Sequence, residues 1–436
     1  MNFPKRRQAM QSKSDEKSMV IYKGYALGRE SCMGRLVFLS GAAINEDIGD
    51  ISKGPFILVI DANLYIRPAD FDFTPISGII LNNPDILEGF GTFTARLGVP
   101  LLFVHEPIPA AFEMETAIIS PSENALYICP DFAAIDRFTT EMKEKTNREK
   151  QLLEASKREA RTKSGRKIEL FAERKREENG DLVTEYGLDG LFLKNIFIGN
   201  MTDEEEGLFV CLRNIFEKNP GAVFLVCIAK PLGTGYDESF PTQETTGEAT
   251  RDTRERADFF PSGSAFMRAA VRAVCRAAVW GKARMIFSGI FTDEDALFCR
   301  RVLNEEMTQL GKSGKEFVRD LPVGMLIDCP ASAIMSDKLA EDADFFCVDA
   351  DLLAGNIFGC FNPYSLLFSG GADYSRPVLR MIKKITANAL GKPVIIRGNF
   401  LSEKNNSARL IEAGCAGFIS NGGDLLKIKE IIIESE

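Results

Sequence analysis

The chain has 436 residues, 45% hydrophobic and 26% charged, the composition of a globular protein with room for two or three domains and a large core. A formal net charge of -9 argues against nucleic acid as the main partner, because phosphate backbones are held by clustered Lys and Arg. No apolar run approaches a membrane span, and the ten cysteines stand singly without a CxxC pair, which fits core thiols rather than disulfides or zinc ligands.

Residues 1–20 are basic and polar and lack the apolar segment of a secretory signal, so they read as a disordered tail on a cytoplasmic protein with no membrane association. Residues 21–135 open with YKGYALGRESCMGRLVFL, a glycine-punctuated strand pair. Short apolar strands follow at Phe56–Ile60, Gly78–Leu81, Val99–Val104 and Ala117–Ile119, separated by Pro, Gly and Asp turns. Residues 136–166 lie in a run that mixes both charge signs with few large apolar residues, the pattern of an exposed helical connector. From residue 167 to 436 the pattern alternates: IELFA, GLFL, AVFLVCIA, ARMIF, VGMLI, FFCV, PVIIR and GFIS are eight candidate strands, with amphipathic stretches between most of them. Eight such units predict an α/β fold of the (β/α)8 TIM-barrel type.

Within this half, Val323–Cys329 is an apolar run that ends in Asp328 ahead of Pro330, and Phe345–Val348 ends in Asp349 and Asp351. Between them, Ile334, Met335 and Leu339 fall at helical spacing. Strand tips at the carboxyl end of such a barrel line the active site. Two readings of these acids stay open, solvated turn aspartates or oxygen ligands for a divalent cation, with Asp349 and Asp351 sharing a strand parity that allows a set with Asp328. The only histidine, His105, falls at a strand end or in a loop.

The segment LPVGMLIDCPASAIMSDKLAEDADFFCVDADLL resembles, without a gap, the PVGxMxExPxAxxMxDxLAxxxDFFSIGTNDL pattern of phosphotransferase-system enzyme I, a phosphoenolpyruvate (PEP)-utilising enzyme. The similarity covers most of the chain and implies a PEP-binding TIM barrel behind an N-terminal swivelling, phosphohistidine-like β/α domain. It further implies magnesium, PEP as ligand, and dimerisation through the barrel, either as a homodimer or by pairing with an intact enzyme I. Only Gly41–Lys53 stands where the family carries its phosphocarrier-docking helical domain.

Position by position, the expected chemistry is missing. The family's metal-binding Glu and Asp fall on Asp328 and Leu352, and its PEP-binding Asn on Asp351. Leucine offers no lone pair, so a magnesium site on Asp328, Asp349 and Asp351 would be weak or absent. The phosphorylated histidine falls on Gly89, or on Phe93 in a shifted alignment. The cysteine that protonates enolpyruvate falls on Arg397, a side chain that is always charged. An arginine that pairs with phosphate falls on Asn195, beside Lys194, and another falls near Ala229, beside Lys230. The arginine of LRIMFPM survives as Arg284, which reads equally as a strand-end arginine in a salt bridge. Arg284, Arg397, Lys230, Lys194 and Asp351 are thus the candidates for a small-anion site at the barrel mouth. The implied function is an enzyme I relative without phosphoryl transfer, acting as a binding or regulatory protein. The alternative is an enzyme with altered chemistry on a small phosphate or carboxylate.

Overall fold

The computed structural model describes residues 18–27, 31–39, 55–60, 76–82, 99–155, 159–173, 182–194, 204–228, 265–358, 375–398, 401, 404–420 and 422–436. The chain divides into two compact units, Met1–Lys143 and Glu144–Glu436. The boundary falls within the first helix, α1 (Phe132–Ala155), in the charged stretch read from sequence as a connector.

The first unit is a closed barrel of seven strands: β1 (Val20–Leu27), β2 (Cys32–Leu39), β3 (Phe56–Ile60), β4 (Ile76–Leu81), β5 (Leu101–Val104), β6 (Thr116–Ser120) and β7 (Ala125–Ile128), joined in the order β1-β5-β4-β3-β2-β6-β7. Strands β2 to β5 run parallel and β1, β6 and β7 close the barrel antiparallel. The predicted opening strand pair is corrected here. Both strands form, but β1 pairs with β5 and β7, and β2 with β3 and β6. Gly24 shows why β1 fits against β5: a Cβ there would stand 1.9 Å from the Phe103 carbonyl oxygen. Alternate residues Leu36, Ile57, Val59, Ile80, Leu102 and Val104 fill the interior, as the two-residue strand period requires.

The second unit is a closed parallel barrel of eight strands. In chain order it runs β8 (Glu169–Glu173), α2 (Leu182–Tyr186), β9 (Gly190–Leu193), α3 (Glu204–Lys218), β10 (Val223–Ile228), α4 (Ala265–Ala277), β11 (Lys282–Phe287), α5 (Asp293–Lys312), β12 (Val323–Ile327), α6 (Pro330–Ile334), α7 (Ser336–Asp342), β13 (Phe345–Asp349), α8 (Ala350–Phe358), α9 (Ser375–Asn388), β14 (Val394–Arg397), α10 (Lys404–Glu412), β15 (Gly417–Ser420) and α11 (Gly422–Glu434). All eight strands read from the apolar runs are present, which makes this half a TIM-type barrel. Two packed layers result from the alternation. Phe171, Phe192, Leu225, Ile286, Cys347 and Ile395 fill the inside of the barrel, while Phe224, Met285, Phe346 and Phe418 belong to the larger core beneath the helices.

Local signals explain several boundaries. Helix α5 begins at a reciprocal capping box: the Thr292 side chain accepts the Asp295 N–H, and Asp295 accepts the Thr292 N–H. Pro330 occupies the first turn of α6, where its missing N–H costs nothing. The stretch in which Ile334, Met335 and Leu339 fall at helical spacing is two short helices that meet at Met335, and they leave Ile334 exposed while Leu339 is buried. Lys429 is buried on α11, where its ammonium donates to the carbonyls of Tyr186 (3.2 Å) and Gly187 (2.8 Å) at the end of α2. Burial pulls its pKa down against the opposing charge of Asp189.

Outside the barrel, α4 presents Arg268, Arg272 and Arg276 at four-residue spacing to acids on α3 and α5. Glu306 on α5 is fully buried and accepts from Arg268 at 2.5 Å and from Arg272. Glu205 on α3 accepts from Arg272 (2.6 Å), Arg276 (2.7 Å) and Lys315 (2.7 Å). Arg276 also stacks 3.9 Å over the Phe209 ring, so the network is dry on one side. These charges were not singled out by sequence reasoning, although the i, i+4, i+8 arginines and the EEE start of α3 were the available signal.

Candidate functional site: the carboxyl end of the barrel

Parallel strands place their last residues at one end of the barrel, and inward-pointing positions there follow from parity. Counting by two from the interior residues Phe171, Phe192, Cys347 and Ile395 leads to Glu173, Lys194, Asp349 and Arg397. These four side chains meet. The Arg397 guanidinium donates through Nε (3.0 Å) and Nη2 (2.7 Å) to the two oxygens of Glu173, and through Nη1 to Oδ2 of Asp349. Lys194 Nζ stands 3.8 Å from the same Asp349 oxygen, and the Leu352 N–H donates to Asp349 Oδ1 at 3.1 Å. The face of the guanidinium lies 5.7 Å from the centre of the Phe192 ring.

The electrostatics follow from burial and proximity. Burial alone would raise the pKa of Asp349, which is fully enclosed, but the charges of Arg397 and Lys194 outweigh it and hold the carboxyl below its ordinary value. Burial opposes the charge on Arg397, and Asp349, Glu173 and Asp351 more than restore it, so the guanidinium stays ionised. Beneath them, burial pushes the Cys227 thiol up to about 12, even though Lys194 and Arg397 pull it the other way and Asp328 and Asp349 add to the rise. Cys227 is therefore an inert core thiol at neutral pH.

Asp351 and Asp328 complete the neighbourhood. Strand β13 ends at Asp349 and a helix begins at Ala350, so the strand parity expected to align Asp349 with Asp351 does not extend that far. Asp351 instead sits in the first turn of α8, with its carboxylate against the backbone of Gly398. Gly398 has φ +133°, and a Cβ there would meet the Asp351 carboxylate at 2.8 Å. The positive φ requires glycine, and any side chain there would also have to displace the Asp351 carboxylate. Gly398→Ala is expected to destabilise the protein by roughly 1–3 kcal/mol, read as a shift in urea midpoint; a midpoint unchanged from wild type would refute this account of the turn. Asp328 is buried just past β12, and its backbone carbonyl accepts from Asn356 Nδ2 at 3.0 Å.

Thus Lys194, Asp328, Asp349, Asp351 and Arg397 are brought to one end of the barrel. Arg284 is not. It lies in the amino-terminal half of β11 and forms a two-pronged ion pair with Glu169, the first residue of β8, at 2.7 and 2.8 Å. Together with Lys167, Asp344 and Phe345 they line a cavity of about 380 Å³ at the opposite end of the barrel. Of the two readings for Arg284, the strand-end salt bridge holds. Lys230, Asn195, Gly89 and Phe93 lie outside the described residues. His105 is an exposed residue just after β5, with its ring edge-to-face on Phe103 (4.9 Å) and Tyr25 (5.8 Å). Sequence reasoning missed Glu173, although the acid at the end of the IELFA strand shares the inward parity of Phe171.

The magnesium implied by the resemblance does not fit these residues. Leu352 contributes a half-exposed hydrocarbon at an expected ligand position, and both oxygens of Asp349 already accept from N–H donors. Among the described residues, no three acidic, cysteine or histidine side chains gather closely enough to hold a metal, so Asp328, Asp349 and Asp351 do not form the expected set. The guanidinium of Arg397 lies between the acids that a cation would have to join.

Residues 258–436 match the family described as PEP-utilising enzyme, PEP-binding domain. The chain is a relative of the PEP-utilising enzymes. Curated proteins named phosphoenolpyruvate-protein phosphotransferase are similar at low identity. One from Buchnera aphidicola subsp. Baizongia pistaciae is 23% identical over 406 residues, covering 90% of this chain and 69% of that protein. One from Staphylococcus carnosus is 22% identical over 423 residues, covering 88% and 71%. One from Enterococcus faecalis is 26% identical over 172 residues, covering 39% of this chain and 30% of its own length. The family match spans the barrel from α4 to α11, which holds five of its eight strands, β11 to β15. No helix among the described residues is long and apolar enough to cross a membrane.

Proposed function

We propose that this chain is an enzyme I-like protein that no longer carries out PEP-dependent phosphoryl transfer, and that it acts as a binding or regulatory protein in a sugar phosphotransferase context. One observation carries the reading. At the strand end where the resemblance places a proton-donating cysteine, Arg397 is ion-paired to Glu173 and Asp349. A guanidinium cannot lose a proton at neutral pH and so cannot act as that acid. Among the described residues at the mouth the charge points the same way: Glu173, Asp328, Asp349 and Asp351 are four carboxylates beside two cations, Lys194 and Arg397, a poor setting for a multiply charged phosphate. The described residues of the mouth do not fit magnesium, and on this reading the function proceeds without it. Partner contact, as a homodimer or with an intact enzyme I in the cytoplasm, then becomes the output.

Incubation of the full chain with radiolabelled PEP and magnesium is expected to leave the protein unlabelled and to release no pyruvate above a protein-free control. Label that stays on the chain and disappears in His105→Ala would sink the proposal. A second reading, altered chemistry on a small phosphate or carboxylate, draws on Lys194, whose ammonium is largely buried at the mouth and is 3.8 Å from its nearest acid. Calorimetric heat with PEP that is lost in Lys194→Ala would favour it.

A further inference from the structure

We propose that the cavity at the amino-terminal end of the eight-stranded barrel binds a small zwitterion, a free amino acid with an apolar side chain. The inward parity of Phe171 and Ile286 carries back two residues to Glu169 and Arg284, so the foot of this barrel is polar where a packed apolar layer is the rule. The cavity of about 380 Å³ takes its charge from Lys167, Glu169, Arg284 and Asp344, two of each sign. A simple anion would face two carboxylates there, and a simple amine two cations. A molecule that carries both charges meets a partner for each. The signs are also set apart: Lys167 and Glu169 stand at the start of β8, whereas Asp344 directly precedes β13, three strands away around the barrel. Hydrogen-bonding capacity remains at both poles. Arg284 spends one N–H of each Nη on Glu169, at 2.8 and 2.7 Å, and a guanidinium carries more donors than that, so Nε and the outer N–H groups remain for a carboxylate. Beside it, Lys167 pairs with Asp189 at 2.6 Å and with Glu159 at 3.7 Å, and its ammonium has a further donor. Asp344 turns Oδ2 to the Arg300 guanidinium (2.9 Å) and the Val323 N–H (2.7 Å), which leaves Oδ1 as the acceptor for an ammonium. An apolar wall completes the cavity. It is formed by Pro393 and by the buried Phe345, whose ring lies on the bare Cα of Gly324, where a Cβ would stand 2.4 Å from it. That wall is therefore in place before any ligand arrives, as small-molecule sites require. The cavity lies at the opposite end of the barrel from Arg397, and the inference does not depend on the proposed loss of phosphoryl transfer.

The test is titration calorimetry on the full chain with L-leucine, L-valine, L-methionine and L-phenylalanine, each alone at millimolar concentration. At least one is expected to bind. Its two truncated forms are then compared with it on wild type; for leucine these are 4-methylpentanoate, which lacks the amine, and 3-methylbutylamine, which lacks the carboxylate. Each truncated form is expected to bind about ten-fold more weakly or worse, because each loses a set of charge-assisted hydrogen bonds. Asp344→Asn, which keeps an oxygen for the Val323 N–H, and Lys167→Met are each expected to weaken binding of the same amino acid. Three results would overturn the proposal: no heat from any of the four amino acids, a truncated form that binds as tightly as its parent, or full affinity in either variant. The comparison of truncated forms needs no substitution, so it decides the matter even where a variant folds poorly. Because PEP is absent from every arm, failure here leaves the phosphoryl-transfer experiment standing, and the reverse is equally true.

Discussion

Glu306→Ala is expected to cost about 3–5 kcal/mol of unfolding free energy, the largest effect of any single substitution considered. Glu306 is fully buried between α4 and α5 and accepts from both Arg268 and Arg272. Removing the acid leaves two guanidiniums facing each other without their shared partner; Arg272 retains Glu205 and Arg268 retains the more exposed Glu305 at 2.9 Å. Deleting the whole group is a different perturbation from breaking it. The triple substitution Arg268→Met, Arg272→Met, Glu306→Leu removes all three desolvated charges and is expected to lie well above Glu306→Ala in urea midpoint. If Glu306→Ala stays within about 1 kcal/mol of wild type in urea unfolding, the ion network is not what joins these helices.

The second large effect is a dependence on acid. Burial works to raise the pKa of Glu205, but hydrogen bonds from Lys315, Arg272 and Arg276 outweigh it and bring the carboxyl down to about 2 from an ordinary value of 4.5. A carboxyl whose folded pKa is depressed contributes stability that is fully present above its unfolded pKa and is lost as pH falls through the folded value. The contribution should therefore be intact at pH 7, decline below about 4.5 and vanish near 2. Asp349, whose pKa is also lowered, adds to the same trend. Glu205→Gln is expected to lower the urea midpoint clearly at pH 7, and to differ from wild type progressively less as pH is taken from 4.5 to 3. A difference that stays constant over that interval would show that the Glu205 charge contributes nothing.

Much of the fold was legible because each barrel strand is a compact apolar run bounded by polar or glycine-rich turns. VFLVCI, VGMLI and FFCV leave little choice of element. The small first barrel was harder. β7 is only four residues long, ALYI, and the pairing of β1 with β5 depends on contacts about eighty residues apart that no local pattern encodes. At the site, Asp349 and Arg397 were readable as strand tips, and Glu173 required following the parity of one strand a step past its apolar core. Arg284 shows the limit of similarity alone. A matched motif identified the strand, but the side chain belongs to the third residue of six and faces the amino end, where Glu169 neutralises it.

The buried thiols give the molecule internal markers of its own opening. Burial raises Cys32 in the first unit and Cys227, Cys275 and Cys415 in the second to about 12, and all nine described cysteines are unbridged. A thiol in that state does not react while its surroundings stay closed, because the attacking species is the thiolate. Cys32 marks the seven-stranded barrel, while Cys227 and Cys347 mark the interior of the eight-stranded one. The chain is thus already labelled, with no engineered probe, for following separately when each of its two barrels comes apart.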